Sequence, residues 1–301
     1  MLIVRSHKDI VNFCKEKGIS IYKFNEPVKI ADDVTTCREM FESCRSFNQP
    51  VVIPAGVTSC LRMFRGCESF NQPIRIPNTV KNCESMFSGC YSLNEKVVIP
   101  DNVRNCDWMF HCCASFDQPI TIPSSVRSCR FMFSACNEFN QPVEIMEGVG
   151  DCEGMFRSCE SFKQPVTIPS TARCPSMFAY CIRLNQPINI MDGASNFKYM
   201  FKGCDCFNQP VVIPSSALYC GGMFAGCYSL NSEITISDGV EHTKSMFNGC
   251  RAFSKPITIP GSVKFYDGML HDCKSLAPKD IHYPKGMDLH RLFTSARYIP
   301  E

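Results

Sequence analysis

The sequence predicts an α/β repeat solenoid, a curved stack with one short strand and one short helical turn per coil, and three observations predict it. A Met-Phe pair recurs at Met40, Met63, Met86, Met109, Met132, Met155, Met177, Met200, Met223 and Met246, then in altered form as Met269-Leu270 and Leu292-Phe293. Successive pairs lie 23 residues apart, except Met155 and Met177, which are 22 apart. The same apolar landmarks return around every pair, so Phe47-Asn-Gln-Pro-Val-x-Ile-Pro-x-x-Val-x-x-Cys60-x-x-Met-Phe-x-x-Cys67-x-x-Phe70 describes one unit. A unit this short buries no core alone, and about 11 to 12 of them stack into one.

The strand comes first. In Pro50-Val51-Val52-Ile53-Pro54 the first and third apolar residues flank a variable one, and proline at both ends keeps the strand short. Cys60, Met63, Phe64 and Cys67 then fall at i, i+3, i+4 and i+7, the spacing of one helical face. A glycine such as Gly66, Gly89, Gly203, Gly226 or Gly249 precedes the second cysteine and helps to turn the chain. At the start, Ser6-x-x-Asp9 has the form of a capping box, and Ile10, Val11, Phe13 and Cys14 make an apolar face before Gly18, which predicts a helix over residues 7–17. The expected organisation is an N-terminal helical cap at residues 1–23, a solenoid at 24–276, and a degenerate last repeat with a C-terminal cap at 277–301, where Ala296 stands in place of cysteine.

The run Phe64-x-x-Cys67-x-x-Phe70-x-x-x-Ile74-x-Ile76-Pro77-x-x-Val80 resembles the BspA-like leucine-rich repeat, and the likeness covers roughly residues 24–276. The Asn-Gln-Pro before the strand is also similar to the Asn-Gln-containing repeats of some bacterial surface lipoproteins. Methionine before phenylalanine and cysteine ahead of the helical turn depart from the family pattern. The resemblance implies a leucine-rich-repeat-like stack with a parallel sheet on its concave face, used for binding. It brings no catalytic residues, and it points to surface proteins of bacteria or parasites and to viral proteins.

The 301 residues include 22 cysteines, and position in the repeat sorts nearly all of them. One column precedes Met-Phe (Cys37, Cys60 and their equivalents) and one follows it (Cys44, Cys67 and theirs), leaving Cys14, Cys112 and Cys206 outside. Seven residues along a helix separate two backbones by about 10 Å, against the roughly 7 Å a disulfide spans. Helical turns of adjacent coils are expected about 8–10 Å apart, again too far. Buried, reduced thiols acting as small hydrophobes are the favoured reading, with disulfides or metal as alternatives. A reducing compartment such as the cytoplasm follows, or a virion or cell surface if a signal has been removed. Cys112 is the expected exposed thiol, displaced from the buried face by Cys113.

Function is left to positions that the repeat does not dictate. The outward strand position includes Arg75, Val98, Thr121, Glu144, Thr167 and Asn189, a face roughly 50 Å long at about 4.8 Å per strand, suited to a protein partner or to nothing beyond solvent. The position before methionine carries Trp108, Phe131 and Tyr199, where Trp108 and Phe131 form an aromatic contact site or simply pack along the ridge. A recurrent asparagine (Asn25, Asn48, Asn71, Asn94, Asn140, Asn185, Asn208, Asn231) is expected to bond the backbone of the next coil. The 22-residue unit beside Cys174-Pro175 is either a tolerated deletion or a local bend.

A net charge of +2 gives no electrostatic case for nucleic acid, and no apolar run approaches a membrane span. The opening residues turn charged too soon for a secretory signal. Six scattered histidines with no recurrent acid or nucleophile beside them do not make an enzyme, and no cofactor is expected. What remains is a non-catalytic scaffold for an unidentified protein partner, with self-association possible. A surface or virion component used in adhesion or assembly, and a thiol-based metal or redox buffer, are the alternatives.

Overall fold

The computed structural model describes residues 1–294, so Ala296 and the last seven residues of the expected C-terminal cap, 295–301, lie outside it. The chain forms two compact units, Met1–Gly150 and Asp151–Glu301. Each is a stack of coils built on the same rung, and each is described here by itself.

The first unit opens with β1 (Leu2–Val4), which sequence reasoning missed, followed by helix α1 (His7–Lys17), the range the capping signal predicts. Asp9 accepts the backbone N–H groups of Arg5 and Ser6 at 2.7 and 2.9 Å, and Gly18 closes the helix in the left-handed region at φ 66°. β1 pairs in parallel with β2 (Val28–Ile30). Further along, β3 (Ile120–Ile122) pairs with β4 (Val143–Ile145). In the second unit β5 (Val166–Ile168) pairs with β6 (Ile188–Ile190), β7 (Val211–Ile213) with β8 (Ile234–Ile236), and β9 (Ile257–Thr258) with β10 (Ile281–His282). A short helix, α2 (Leu289–Phe293), ends the described chain.

Among the described residues the strands form five two-stranded ladders and not one continuous sheet. Each interruption coincides with a proline. Where the residue after the second strand carries an N–H, it donates to the last carbonyl of the strand before: Ala31 to Val4, Met146 to Ile122, Met191 to Ile168, Ser237 to Ile213, at 3.0–3.3 Å. Where proline stands at that position, as at Pro54, Pro77, Pro100, Pro214 and Pro260, the donor is gone and the strand does not pair with the one before it. β10 is the exception, since Pro284 stands there and β10 still pairs with β9, with the Ile259 N–H donating to the carbonyl of His282 at 2.7 Å. Segments 51–53, 74–76 and 97–99 keep the in-out-in burial of a strand without a ladder.

The helical face predicted from Cys60 to Cys67 is not a helix. Two residues in each such segment are left-handed, Arg62 at φ 53° and Gly66 at φ 72° in this rung, and an α-helix cannot continue through them. The N–H groups of Cys60, Arg62, Phe64 and Gly66 instead donate to Asn82, Glu84, Met86 and Ser88 of the next coil at 2.7–2.9 Å. Those of Met63, Arg65 and Cys67 close turns onto Cys60, Arg62 and Phe64. The result is a ribbon of turns that buries Cys60, Met63, Phe64 and Cys67 on one side, which is why its spacing reads as a helix. The left-handed sites are the two columns before Met-Phe and before the second cysteine, so the glycines noted there supply a positive φ.

The core is a double file of phenylalanine. Phe41 stacks on Phe64 at 5.3 Å and Phe64 on Phe70 of its own coil at 4.3 Å, all three fully buried. In the second unit the short coil is absorbed locally. β5 and β6 stay in register, Thr167 opposite Asn189, while the N–H of Cys174 is shared between the carbonyls of Ser195 and Asn196, and Asn196 takes φ 54°.

Candidate functional site

The strand face of the first unit holds a shallow groove of about 540 Å³ between segment 97–99, β3 and the start of β4. It lies along the junction that Pro123 leaves unpaired. Val97, Ile99 and Ile120 point into the core beneath it, while Val98, Thr121 and Glu144 stand outward, and Lys96, Asp101, Pro123 and Pro142 complete the wall. Three of the outward strand residues singled out from the sequence therefore converge, with Thr121 directly opposite Glu144 across the β3–β4 ladder. Val98 is 66% exposed, an apolar side chain that no neighbouring coil covers. Arg75 is exposed on segment 74–76, outside the groove lining, and Thr167 and Asn189 form an exposed pair on β5 and β6 of the other unit. The rim charges Lys96, Asp101 and Glu144 were not marked as a group by the repeat, because each occupies a different register position.

On the turn side, Trp108 and Phe131 occupy adjacent left-handed positions and stack at 4.3 Å with an interplanar angle of 19°, both half-buried. The Trp108 ring also meets His111 edge-on at 4.8 Å. Nδ1 of His111 lies 3.0 Å from the carbonyl oxygen of Ser134, and its Nε2 lies 3.3 Å from Sγ of Cys112. Burial lowers the His111 pKa from its ordinary value and raises that of Cys112. Tyr199, in the second unit, lies over Gly222 so closely that a Cβ there would fall 2.3 Å from its ring, and Lys198 and Lys202 sit over the same ring at 5.3 and 5.1 Å. A further file, Tyr219, His242 and Phe265, stacks at 4.5 and 4.3 Å with Tyr219 and Phe265 exposed. Reading the position before the first cysteine at intervals of 23 would have found it.

The cysteine columns are buried, as expected, but the spacing argument against disulfides between coils does not hold. Adjacent turns share backbone hydrogen bonds, which sets them about 5 Å apart instead of at helix-packing distance. What occupies the second-column thiols is a bond: Sγ of Cys67, Cys90, Cys113 and Cys136 donates to the carbonyls of Phe41, Phe64, Phe87 and Phe110 at 2.9–3.1 Å. Cys181, Cys204, Cys227, Cys250 and Cys273 repeat this in the second unit. Burial raises these pKa values, to about 12 for Cys44 and Cys273, so the sulfurs stay protonated. The exposed thiol is Cys206 and not Cys112, which is half-buried against His111. Cys206 falls two residues after the second column, where Ser46, Ser69, Ser92 and Ser115 stand in earlier coils, a solvent-facing position.

The asparagine file is structural. Oδ1 of Asn25, Asn48 and Asn71 accepts the backbone N–H of Asn48, Asn71 and Asn94, each at 2.9 Å, and Asp117 serves Asn140 in the same way. Gln49 and Gln72 add a second bond to Asn25 and Asn48.

Coils of this period, with short parallel strands on one side and turns on the other, define a repeat solenoid of leucine-rich-repeat type. The chain is similar in structure to a leucine-rich repeat protein from Bacteroides ovatus, with a TM-score of 0.59 and 20% identity over 85% of this chain and 73% of that one. It is also similar to a leucine-rich repeat protein from Eubacterium ventriosum, with a TM-score of 0.54 and 17% identity over 91% of this chain and 77% of that one. The leucine-rich-repeat resemblance read from the sequence is thereby borne out as fold. The family "Mycoplasma protein of unknown function, DUF285" matches residues 20–99, 58–169, 128–235, 151–260 and 215–296, and the chain belongs to that family. No curated protein matches it. No helix among the described residues is long and apolar enough to cross a membrane.

Proposed function

We propose that the protein binds an extended segment of a partner protein across the strand face of its first unit, with the groove around Val98, Thr121 and Glu144 as the contact. The observation that carries this reading is the groove itself, where an uncovered valine lies among charged rim groups of both signs at an unpaired strand junction. Apolar centre and polar rim is the composition of a protein interface, and a neutral floor gives no purchase to a polyanion. The buried thiol columns suit a reducing compartment, where they stay protonated donors.

The test is affinity capture from extracts of the source organism with wild-type protein, a Val98→Glu/Thr121→Arg double variant, and Trp108→Ala/Phe131→Ala. A specific partner retained by wild type and by the aromatic variant, but lost from the strand-face variant, supports the reading. Loss with the aromatic variant alone moves the contact to Trp108 and Phe131. Light scattering of the same three proteins separates self-association from binding to a different chain.

A further inference from the structure

The sulfur of Cys112 faces a base. The carbonyl of Ser134 only accepts hydrogen bonds, so the 3.0 Å contact from His111 requires the proton on Nδ1. Nε2 is then a bare lone pair, and in the neutral pair the Cys112 thiol donates to it across 3.3 Å. The same Ser134 oxygen accepts the backbone N–H of Cys112 at 2.9 Å, fixing both residues to one point of the neighbouring coil. Trp108 closes on the imidazole edge-on, holding the ring plane. In the column of Cys112 the neighbours are Gly89 and Ala135, which put no bulk beside the sulfur. Nucleophile, base and a group that orients the base are all present within two coils.

We propose that Cys112 is a covalent modification site that exchanges with low-molecular-weight disulfides, with His111 as its general base. As Sγ attacks one sulfur of the disulfide, its proton passes to Nε2 of His111 and a new S–S bond forms. The old S–S bond breaks with its electron pair on the departing sulfur, which takes the proton back from His111. Cys112 ends as a mixed disulfide, and the incoming disulfide yields one thiol. Oxidation at Cys112 is balanced by reduction of the departing sulfur. The column cysteines are poor competitors, since all are buried and the second-column thiols also donate to phenylalanine carbonyls.

Cys206 provides a control within the same chain, an exposed thiol to compare with a half-buried one. Each is isolated by substituting the other, Cys206→Ser or Cys112→Ser, and treated with 4,4′-dithiodipyridine under native conditions, with intact mass counting adducts. An unassisted thiol speeds up about tenfold per pH unit near neutrality as thiolate accumulates. The Cys112 rate is expected to be nearly flat above the titration of His111, and to fall about tenfold or more in His111→Gln while the Cys206 rate is unchanged. The pH profile needs no histidine variant, so it reads the proposal even if His111→Gln weakens the fold. No adduct at Cys112, a rate climbing tenfold per pH unit, or a rate indifferent to His111→Gln in a protein of unchanged melting temperature overturns the proposal.

Discussion

The thiol of Cys67 donates to the carbonyl oxygen of Phe41 at 3.0 Å, and that oxygen also accepts the N–H of Cys44 at 3.0 Å. One coil's phenylalanine is thus tied to its own turn and to the next coil through a single atom. The side chain at this place must be small, must survive complete burial and must donate. Cys67→Ala removes both a buried sulfur and its bond, and is expected to cost about 1–2 kcal/mol. Cys60→Ala removes a sulfur with no such bond and is expected to cost less, while Cys67→Ser keeps a donor and falls between. Denaturant unfolding of the three variants checks this order. Equal losses for Cys60→Ala and Cys67→Ala would show that the bond contributes nothing.

Stability should fall on the alkaline side. Burial raises the Cys37, Cys44, Cys220 and Cys273 thiols from 9.0 to about 12, and their neighbours further in the same direction. Above pH 9 the unfolded chain releases protons that the folded chain retains, so the folded state binds more protons and loses stability as pH rises. The contribution is intact below 9 and is lost as pH climbs toward 12. A melting temperature that is flat from pH 7 to 8.5 and drops steeply above 9 is the expected result. Replacing two column cysteines by alanine should make the drop shallower even though it lowers the starting value.

The period, the strand positions, the buried columns and α1 were legible because each rests on side-chain burial, which repeats every 23 residues. The turn ribbon was not, because its i, i+4 burial arises from alternating turns that copy helical spacing. Only the glycines at Gly66, Gly89 and Gly203 hinted at its handedness, and Arg62, Trp108 and Tyr199 take the same left-handed form without glycine's freedom. From that error followed the wrong distance between coils and the wrong reason for excluding disulfides. At the groove, Val98, Thr121 and Glu144 were readable as a strand file, whereas Lys96 and Asp101 join them only through the depth of an unpaired junction. His111 was invisible as a partner of Cys112, since adjacent residues rarely face each other and only the left-handed φ of 59° at Cys112 brings the two together.

The asparagine file predicts a tolerance as well as a cost. Asn71→Ala leaves the Asn94 N–H without its 2.9 Å acceptor and is expected to lose about 0.5–1 kcal/mol at this partly solvated position. Asn71→Asp keeps the acceptor oxygen, as Asp117 already does for Asn140, and should unfold close to wild type at neutral pH. Thermal melts of the pair separate the two, and equal destabilisation by alanine and aspartate would remove the acceptor role.

The proline rule can be run in both directions. Met146 donates its N–H to Ile122 at 3.2 Å and completes the β3–β4 ladder, while Pro77 stands at the same place in its coil and segment 74–76 is unpaired with 51–53. Met146→Pro deletes one ladder bond and exposes a carbonyl, an expected loss of about 1–2 kcal/mol, and it should release protection of the neighbouring amides of β4. Pro77→Met does the reverse, supplying an N–H aimed at the carbonyl of Ile53. Its new amide should exchange with solvent far more slowly than an open peptide, because closing the junction costs only the backbone freedom that proline had already removed. Amide hydrogen exchange reads both changes residue by residue. If the amide at 77 exchanges as freely as an unpaired one, something other than the missing donor holds these strands apart, and the groove beside Val98 would then owe its opening to side-chain packing.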